Sequence, residues 1–207
     1  MIRLYRAEWS TNCERVGLAL AHKGLEVESV VISYDDRSPV EEVSGQALVP
    51  VIVDDGKVVA DSTVIVRHLE ERYPEPPLFP SDPDARREVD DFIDWFNADW
   101  KGVANALAEQ LERTHPDQAE VARLSAELQA HLDRFEGMLA DGRDYLMGDS
   151  VGAADCAVFP FLKYALGRDP ADTEPFHVML DEHQVLGADH PRLPAWIERV
   201  DALPRAY

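Results

Sequence analysis

Four polar residues, Ser10, Thr11, Asn12 and Cys13, stand where a short strand-like segment gives way to a helical pattern. One use of such side chains is to cap the free N–H groups at the start of the helix, which is very common for Ser, Thr and Asn. Alternatively, one of them touches a substrate. Cys13 adds a third possibility, a redox thiol. The local pattern leaves all three alternatives open.

A second helix start, at Asp61-Ser62, also has residues that can do chemistry. Asp61 is a favoured capping residue, and such a cap is worth ~1 kcal/mol. A helix N-terminus also offers unpaired N–H groups and a partial positive charge, which suit a carboxylate, and the Ser62 hydroxyl adds a donor. Because capping and ligand binding are compatible, we predict both.

The charge of the chain restricts its partners. There are 20 Lys and Arg residues against 40 Asp and Glu residues, which gives a formal net charge of −20 at pH 7. This excess repels phosphate backbones and anionic lipid surfaces, so neither nucleic acid nor a membrane is expected as a partner. The carboxylates are spread along the whole chain, a distribution typical of a solvated surface.

Cysteine and histidine usage argues against disulfides and metals. The two cysteines, Cys13 and Cys156, form no disulfide framework, and the seven histidines include no pair at metal-ligand spacing. The N-terminal segment lacks an apolar signal core, and no uncharged apolar run approaches the ~20 residues that span a bilayer. We therefore expect a cytoplasmic protein that needs no metal.

Alternating and β-branched segments predict a small sheet in the first part of the chain. Strands are expected at 2–5, at 27–34 and on both sides of the Asp54-Asp55-Gly56 turn within 49–60, with helices at 12–23 and 61–72 and a polar loop before residue 49. The order β-α-β followed by β-β-α is typical of a thioredoxin-like α/β domain.

Residues 73–84 contain five prolines and have the composition of a linker. Beyond them the strand signals vanish, and helical periodicity covers 85–113, 118–140, 153–167 and 192–202. The sequence thus predicts a thioredoxin-like domain at 1–76, a proline-rich linker at 77–84 and an all-helical C-terminal domain at 85–207.

Four stretches together resemble the cytosolic glutathione transferase superfamily over the whole chain, with a serine-type active-site turn. They are LYRAEWSTNCERVGLALAHKGL, LVPVIVDDGKVVADSTVIVRHLEERYP, LFPSDPDARREVDDFIDW and LMGDSVGAADCAVFPFL. Each stretch alone is a weak signal, but the four in this order and spacing are a strong one. The first is closest in pattern to the classes that use serine in the turn, including the maleylacetoacetate isomerase type. The resemblance implies the glutathione S-transferase fold.

The resemblance also assigns roles to residues that bind glutathione. The Val49-Pro50 peptide bond is expected to be cis, so that the Val49 backbone pairs with the cysteinyl part of glutathione. Asp61 and Ser62 are expected to hold the charged γ-glutamyl end. Ser10 matches the family's active-site serine or cysteine.

A free thiol titrates near ~8.5 and becomes nucleophilic only when it ionises. We therefore expect a hydroxyl at the start of the first helix to stabilise the glutathione thiolate. Ser10 is the first candidate for this catalytic role, followed by Asn12 and Thr11. Cys13 lies three residues after Ser10, on the apolar face of the helix. We expect it to be a buried side chain, since the attacking thiol of the reductase members would stand at the Ser10 position.

The family's pocket for the hydrophobic substrate is lined from the first helix of the second domain. This assigns Phe96 (or its neighbour Trp95) and Trp100 to the pocket, and Trp9 adds a wall from the active-site turn. Aromatic stripes are more often core than pocket, so the two interpretations stay open. Asp155 is expected to be structural, with Gly152 in place of the usual capping Ser or Thr.

The function implied is a glutathione S-transferase-like enzyme with glutathione as co-substrate, no tightly bound cofactor, a small electrophile as second substrate and a homodimeric assembly. Two other classes remain. One is a non-catalytic binding or assembly module on the same scaffold. The other is a glutathione-dependent isomerase or a thiol reductase.

Overall fold

A computed structural model describes residues 1–207, and the chain divides into two compact units. The first unit consists of residues 1–80 together with residues 202–207. The second unit consists of residues 81–201. None of the helices combines the length and the apolar character that a membrane crossing requires.

The first unit is a four-stranded mixed sheet with three helices. Its elements are β1 (Ile2–Arg6), α1 (Thr11–His22), β2 (Val27–Val31), α2 (Ser38–Ser44), β3 (Val51–Asp54), β4 (Lys57–Ala60) and α3 (Ser62–Arg72). The strand order is β2-β1-β3-β4, in which β1 and β2 are parallel and the other pairs antiparallel. This is the thioredoxin-like sheet that the strand pattern predicts.

The strand register brings three junctions to one end of this sheet. Tyr5 near the end of β1 pairs with Val51 at the start of β3, and Val51 also pairs with Ala60 at the end of β4. The turn that leads from β1 to α1, the segment before β3 and the segment after β4 therefore all leave the sheet at the same end. These are the three places where the sequence predicts glutathione-binding residues.

Helix α2 lies where the sequence analysis predicted a polar loop. Val40 is its only buried residue, and it joins Tyr5, Ile32 and Val51 in a cluster that holds α2 to the sheet. The partly buried Val43 also packs on this cluster, but two valines in seven residues are too sparse a pattern to indicate a helix. The boundary signals were nevertheless present, with a proline at the start and Gly45 in the left-handed conformation at the end (φ 73°).

A buried ion pair connects α1, α3 and the proline-rich segment that follows. The Lys23 Nζ lies 2.7 Å from Glu70 Oε2 and donates to the carbonyl oxygens of Tyr73 (2.7 Å) and Pro76 (3.0 Å). Glu70 Oε2 also accepts from the Leu78 N–H at 3.0 Å. Since both charges have several partners, this ion pair fixes the exit from α3.

The second unit is entirely helical. Its α-helices are α4 (Pro83–Trp95), α5 (Lys101–Leu111), α6 (Gln118–Met138), α7 (Ala153–Leu162), α8 (Pro175–His183) and α9 (Leu193–Asp201). A π-helical segment, Phe96–Trp100, connects α4 to α5, and a 3₁₀ turn follows α7. The sequence analysis did not predict α8, which is a short helix that buries a histidine, His177, beside Met179 and Leu180.

Asp155 organises the start of α7. Its side chain is fully buried and accepts hydrogen bonds from the N–H of Leu146 (2.9 Å), the N–H of Gly152 (3.0 Å) and Trp196 Nε1 (2.8 Å). Burial raises the pKa of this carboxyl, and the three donors act in the opposite direction. Asp155 is therefore structural, as predicted.

Candidate functional site

Ser10 is the N-cap of α1. Its backbone is extended (φ −73°, ψ 113°), and its Oγ accepts a hydrogen bond from the N–H of Cys13 at 3.3 Å. Because this bond uses the hydroxyl only as an acceptor, the O–H of Ser10 can still donate. The cap and the thiol-binding role predicted for Ser10 are thus compatible in one side chain.

The neighbours of Ser10 differ in their accessibility. Thr11 and Cys13 are buried, whereas Ser10 and Asn12 are half-buried. Burial raises the pKa of the Cys13 thiol, although a hydrogen bond with Ser10 acts against this shift. Cys13 is therefore a buried, protonated side chain, as predicted. Among the four residues 10–13, Ser10 and Asn12 are therefore the two whose side chains a ligand can reach.

Asn12 connects the start of α1 to the start of α3. The Ser62 Oγ donates to Asn12 Oδ1, with 3.4 Å between the oxygens, and Arg15 Nη1 donates to Ser62 Oγ at 3.4 Å. The oxygen end of the Asn12 carboxamide is thus directed at Ser62. The structure brings these two predicted site residues together, and it adds Arg15 to them.

The sequence analysis did not include Arg15. This arginine is 2% exposed and lies on the buried side of α1, among the apolar residues. A charge in such a place is costly without hydrogen-bonding partners, which makes a buried arginine informative. The signal in the sequence was available, because Arg15 follows Ser10 by five residues and directly precedes Val16 on the apolar face.

The Val49-Pro50 peptide bond is cis, the isomer that the resemblance implies. Val49 lies just before β3 and outside the residues of β3 that pair with β1 and β4. A backbone in this position can pair with an extended peptide at the end of the sheet.

Asp61 has an unusual backbone conformation. Its φ is 74°, a value that is rare for residues other than glycine, and it is followed directly by α3. The Asp61 Oδ1 accepts from the N–H groups of Thr63 (2.9 Å) and Val64 (3.1 Å), so this oxygen caps the helix. Strained conformations of this kind cluster at ligand-binding positions.

The aromatic residues predicted to line a substrate pocket have different environments. Phe96 and Trp100 are both 0% exposed, and their rings stack with centroids 4.7 Å apart in the core of the second unit. Trp9 and Trp95 are half-buried, and the Arg134 guanidinium lies 3.5 Å from the centroid of the Trp95 ring. The sequence analysis assigned either Phe96 or Trp95 to the substrate pocket; Trp95 has accessible surface, whereas Phe96 has none.

The titratable residues do not form a metal site: no group of three or more His, Cys, Asp or Glu side chains could hold a metal ion.

Comparisons with known proteins identify the family. Residues 4–77 match the glutathione S-transferase N-terminal domain model, and residues 118–199 match the glutathione S-transferase C-terminal domain model. The maleylacetoacetate isomerase of Pseudomonas aeruginosa is 31% identical over 176 residues, which cover 81% of this chain and 82% of the relative. The chain belongs to the cytosolic glutathione S-transferase superfamily.

Members of this superfamily use glutathione as a substrate. Arabidopsis thaliana glutathione S-transferase Z2 is 29% identical to this chain over 182 residues, which cover 84% of this chain and 81% of the relative. A Methylobacterium radiotolerans glutathione S-transferase, solved in complex with glutathione sulfonate, superposes with a TM-score of 0.75 at 26% identity, covering 98% of this chain and 91% of that one. Both units thus have the glutathione S-transferase fold predicted from the sequence.

Proposed function

We propose that this superfamily member is a glutathione-dependent enzyme. It would bind glutathione at the end of the sheet where β1 and β4 end and β3 begins. The observation that carries the proposal is the register, which gathers the Ser10 turn, the cis Val49-Pro50 bond and the Asp61-Ser62 helix start. These three segments are suited to the thiol, the cysteinyl backbone and the γ-glutamyl end of glutathione respectively.

Binding would use groups that the fold already holds in place. The Asp61 Oδ2 would take the α-ammonium of the γ-glutamyl residue, while the N–H groups at the start of α3 and the Ser62 hydroxyl would take its carboxylate. The Val49 backbone would pair with the cysteinyl residue. This arrangement would fix the γ-glutamyl end and the cysteinyl residue of the tripeptide and leave its sulfur near the start of α1.

The chemistry would follow from the N-terminus of α1. Ser10 would donate its O–H to the sulfur and, together with the helix dipole, favour the thiolate over the thiol. Asn12 is the second candidate donor and Thr11 the third, because Thr11 is buried. In the transferase reaction the thiolate forms a bond to an electrophilic carbon, and the leaving group departs with the bonding electrons.

A glutathione-dependent isomerase is the second candidate. It is favoured by relatives named maleylacetoacetate isomerase and, at 29% identity over 84% of this chain, maleylpyruvate isomerase from Ralstonia sp.. Here the thiolate would add to a conjugated double bond, the resulting single bond would rotate, and expulsion of the thiolate would regenerate both glutathione and the double bond. Both candidates require the same thiolate, and a thiol reductase is disfavoured because Cys13 is buried.

The assembly and the second substrate are part of the same proposal. We propose a cytoplasmic homodimer that takes a small hydrophobic electrophile contacted by Trp9, since Phe96 and Trp100 are fully buried. The oligomeric state can be measured by light scattering.

The test is turnover with two substrates. One is an aryl halide, whose conjugation consumes glutathione, and the other is a cis-dienone acid, whose isomerisation does not. The proposal is supported if the wild type turns over at least one of these substrates and Ser10→Ala does not. Consumption of glutathione then indicates the transferase reaction, and turnover without consumption indicates the isomerase reaction. If calorimetry detects no glutathione binding at millimolar concentration, the proposal is wrong and a non-catalytic module is the better interpretation.

A further inference from the structure

Residues 202–207 fold with the first unit and pack along α1. Arg205 forms an ion pair with Glu14, in which Nη2 lies 2.6 Å and Nε 3.1 Å from Glu14 Oε1. Both side chains of the pair are largely buried, with exposed fractions of 16% and 12%. Such a pair is less screened than one at the surface.

The backbone and ring of the same segment contact the next turn of α1. The Ala206 N–H donates to the Gly17 carbonyl oxygen at 3.2 Å, and the Tyr207 ring lies directly on Gly17. The Arg6 guanidinium lies 4.1 Å from the centroid of the Tyr207 ring. The ring is therefore held between Arg6 at the end of β1 and the bare backbone of α1.

Gly17 is required by this contact. A Cβ atom built on Gly17 would lie 2.5 Å from Tyr207 Cε1, which is closer than carbon atoms approach, so an alanine here requires the Tyr207 ring to move. Glycine inside a helix is unfavourable relative to alanine, so its presence here needs a reason. The close packing of Tyr207 supplies that reason.

The contacted residues share the helix face that ends at the active-site turn. Ser10, Glu14 and Gly17 are spaced i, i+4 and i+7, so they lie one above the other along α1. Arg205 therefore binds one turn from Ser10, and Tyr207 packs one turn further along. Tyr207 retains 38% of its surface, and the burial of the rest raises the pKa of its hydroxyl.

We propose that residues 202–207 form a strap that holds the Ser10 end of α1 in place, with Tyr207 and Arg205 as positioning residues for the thiol site. The part of this inference that concerns the thiol rests on the proposed function. The N–H groups and the hydroxyl at the start of α1 stabilise a thiolate only if they stay aimed at it, and small displacements of such groups reduce rates strongly.

The test uses a double-mutant cycle between Gly17→Ala and Tyr207→Ala, with hydrogen–deuterium exchange of the α1 amides as its first measurement. Tyr207→Ala is expected to speed exchange in α1 by about tenfold and to leave α7 of the second unit, the internal reference, unchanged. Gly17→Ala is expected to have the same effect, because the new methyl group displaces the ring. In the Tyr207→Ala background, however, Gly17→Ala should slow exchange, since alanine favours the helix.

Three further variants test the strap without a large change of side-chain volume. Tyr207→Phe retains the ring and is expected to behave like the wild type. Arg205→Gln removes the ion pair with Glu14 and is expected to speed exchange in α1, as is Glu14→Gln. The strap is overturned if Tyr207→Ala and Arg205→Gln both leave α1 exchange unchanged, or if Gly17→Ala slows exchange in both backgrounds.

The pH profile of kcat/KM for the electrophilic substrate, measured at saturating glutathione, separates positioning from mere stability. Tyr207→Ala is expected to raise the pKa that governs this profile, with recovery in Tyr207→Phe, and an unshifted profile would overturn the positioning role.

The exchange measurements need no glutathione. Absence of glutathione binding would thus contradict the proposed function and leave the strap on α1 standing, whereas unchanged exchange in an active enzyme would contradict the strap alone.

Discussion

Arg15 is a charge inside the apolar face of the helix that begins at the site. Its guanidinium donates to Ser62 Oγ, and Ser62 donates in turn to Asn12, so one cation orders groups on α1 and α3. Replacing a buried charged side chain by an apolar one that packs well often leaves the free energy of unfolding unchanged, because the charge no longer has to be desolvated. We therefore expect the main role of Arg15 to be the orientation of Ser62 and Asn12.

We predict that Arg15→Met separates function from stability. Methionine fills similar space without charge, so the free energy of unfolding should change by less than about 1.5 kcal/mol. Ser62 loses a charge-assisted donor, and the affinity for glutathione should fall about tenfold, the equivalent of one such bond. Calorimetry and urea unfolding of Arg15→Met, with Arg15→Lys as the charged control, measure both. A stability loss with unchanged affinity would contradict the role given to Arg15.

The sequence was informative about these residues wherever a local rule applied. Ser10 and Asp61 stand at helix starts, and their capping follows from residue type and position. The charge of Arg15 on the apolar face was visible in the sequence, but its partner Ser62 was not, because no local pattern encodes a separation of 47 residues. The same limit applies to Phe96 and Trp100, for which helical periodicity could not distinguish core from pocket.

At the scale of elements, the start of α7 depends on one carboxylate. Asp155→Ala removes the acceptor of three buried donors, Leu146 N–H, Gly152 N–H and Trp196 Nε1. We predict that unfolding becomes easier by about 3–5 kcal/mol. The exposed Asp149 in the same loop provides the control, since Asp149→Ala should change stability by no more than about 0.5 kcal/mol. Equal losses in the two variants would contradict this account of α7.

Helix α8 introduces a pH dependence. His177 is buried, its Nδ1 lies 2.8 Å from Asp172 Oδ2, and its ring stacks on Tyr164. Burial lowers the pKa of His177 below its ordinary value, and it outweighs the opposite effect of Asp172 and Glu174; Lys163 lowers the pKa further. In the unfolded chain the histidine takes up a proton at higher pH than in the folded chain, so protonation favours unfolding.

We therefore predict that the contribution of His177 to stability is lost as the pH falls below about 6.5, the ordinary histidine pKa. His177→Gln should flatten the pH dependence of the unfolding free energy between about pH 7 and pH 5 relative to the wild type. His115 is exposed, and His115→Gln should leave that dependence as it is. Parallel pH profiles for the wild type and His177→Gln would show that this histidine does not titrate with folding.

Element prediction from sequence succeeded where apolar periodicity and caps agreed. The bounds of α3 follow from Asp61 and Pro74, and β3 and β4 follow from the Asp55-Gly56 turn. Helices α2 and α8 were missed because neither has a clear apolar periodicity. Val40 is the only buried residue of α2, and α8 buries a histidine at a position where the pattern requires an apolar residue.

At the scale of the whole molecule, the order of motifs was sufficient for the family and the fold. An α/β segment, a proline-rich segment and a helical segment in that order, with the Val-Pro turn and the acidic-Ser helix start, occur together in the glutathione S-transferase fold. The return of residues 202–207 to α1 could not be predicted, because the Arg205–Glu14 pair joins residues 191 positions apart. Contacts of that kind depend on the completed fold.

The most direct measurement is the ionisation of bound glutathione, followed through the ultraviolet absorbance of its thiolate as the pH is varied. In the wild type the thiol pKa should lie below the ordinary value of about 8.5, because the start of α1 favours the anion. Ser10→Ala should raise it by about one unit, with a smaller rise in Asn12→Ala. If bound glutathione titrates as it does in free solution, or if Ser10→Ala leaves its pKa unchanged, the central claim that Ser10 stabilises the thiolate is wrong.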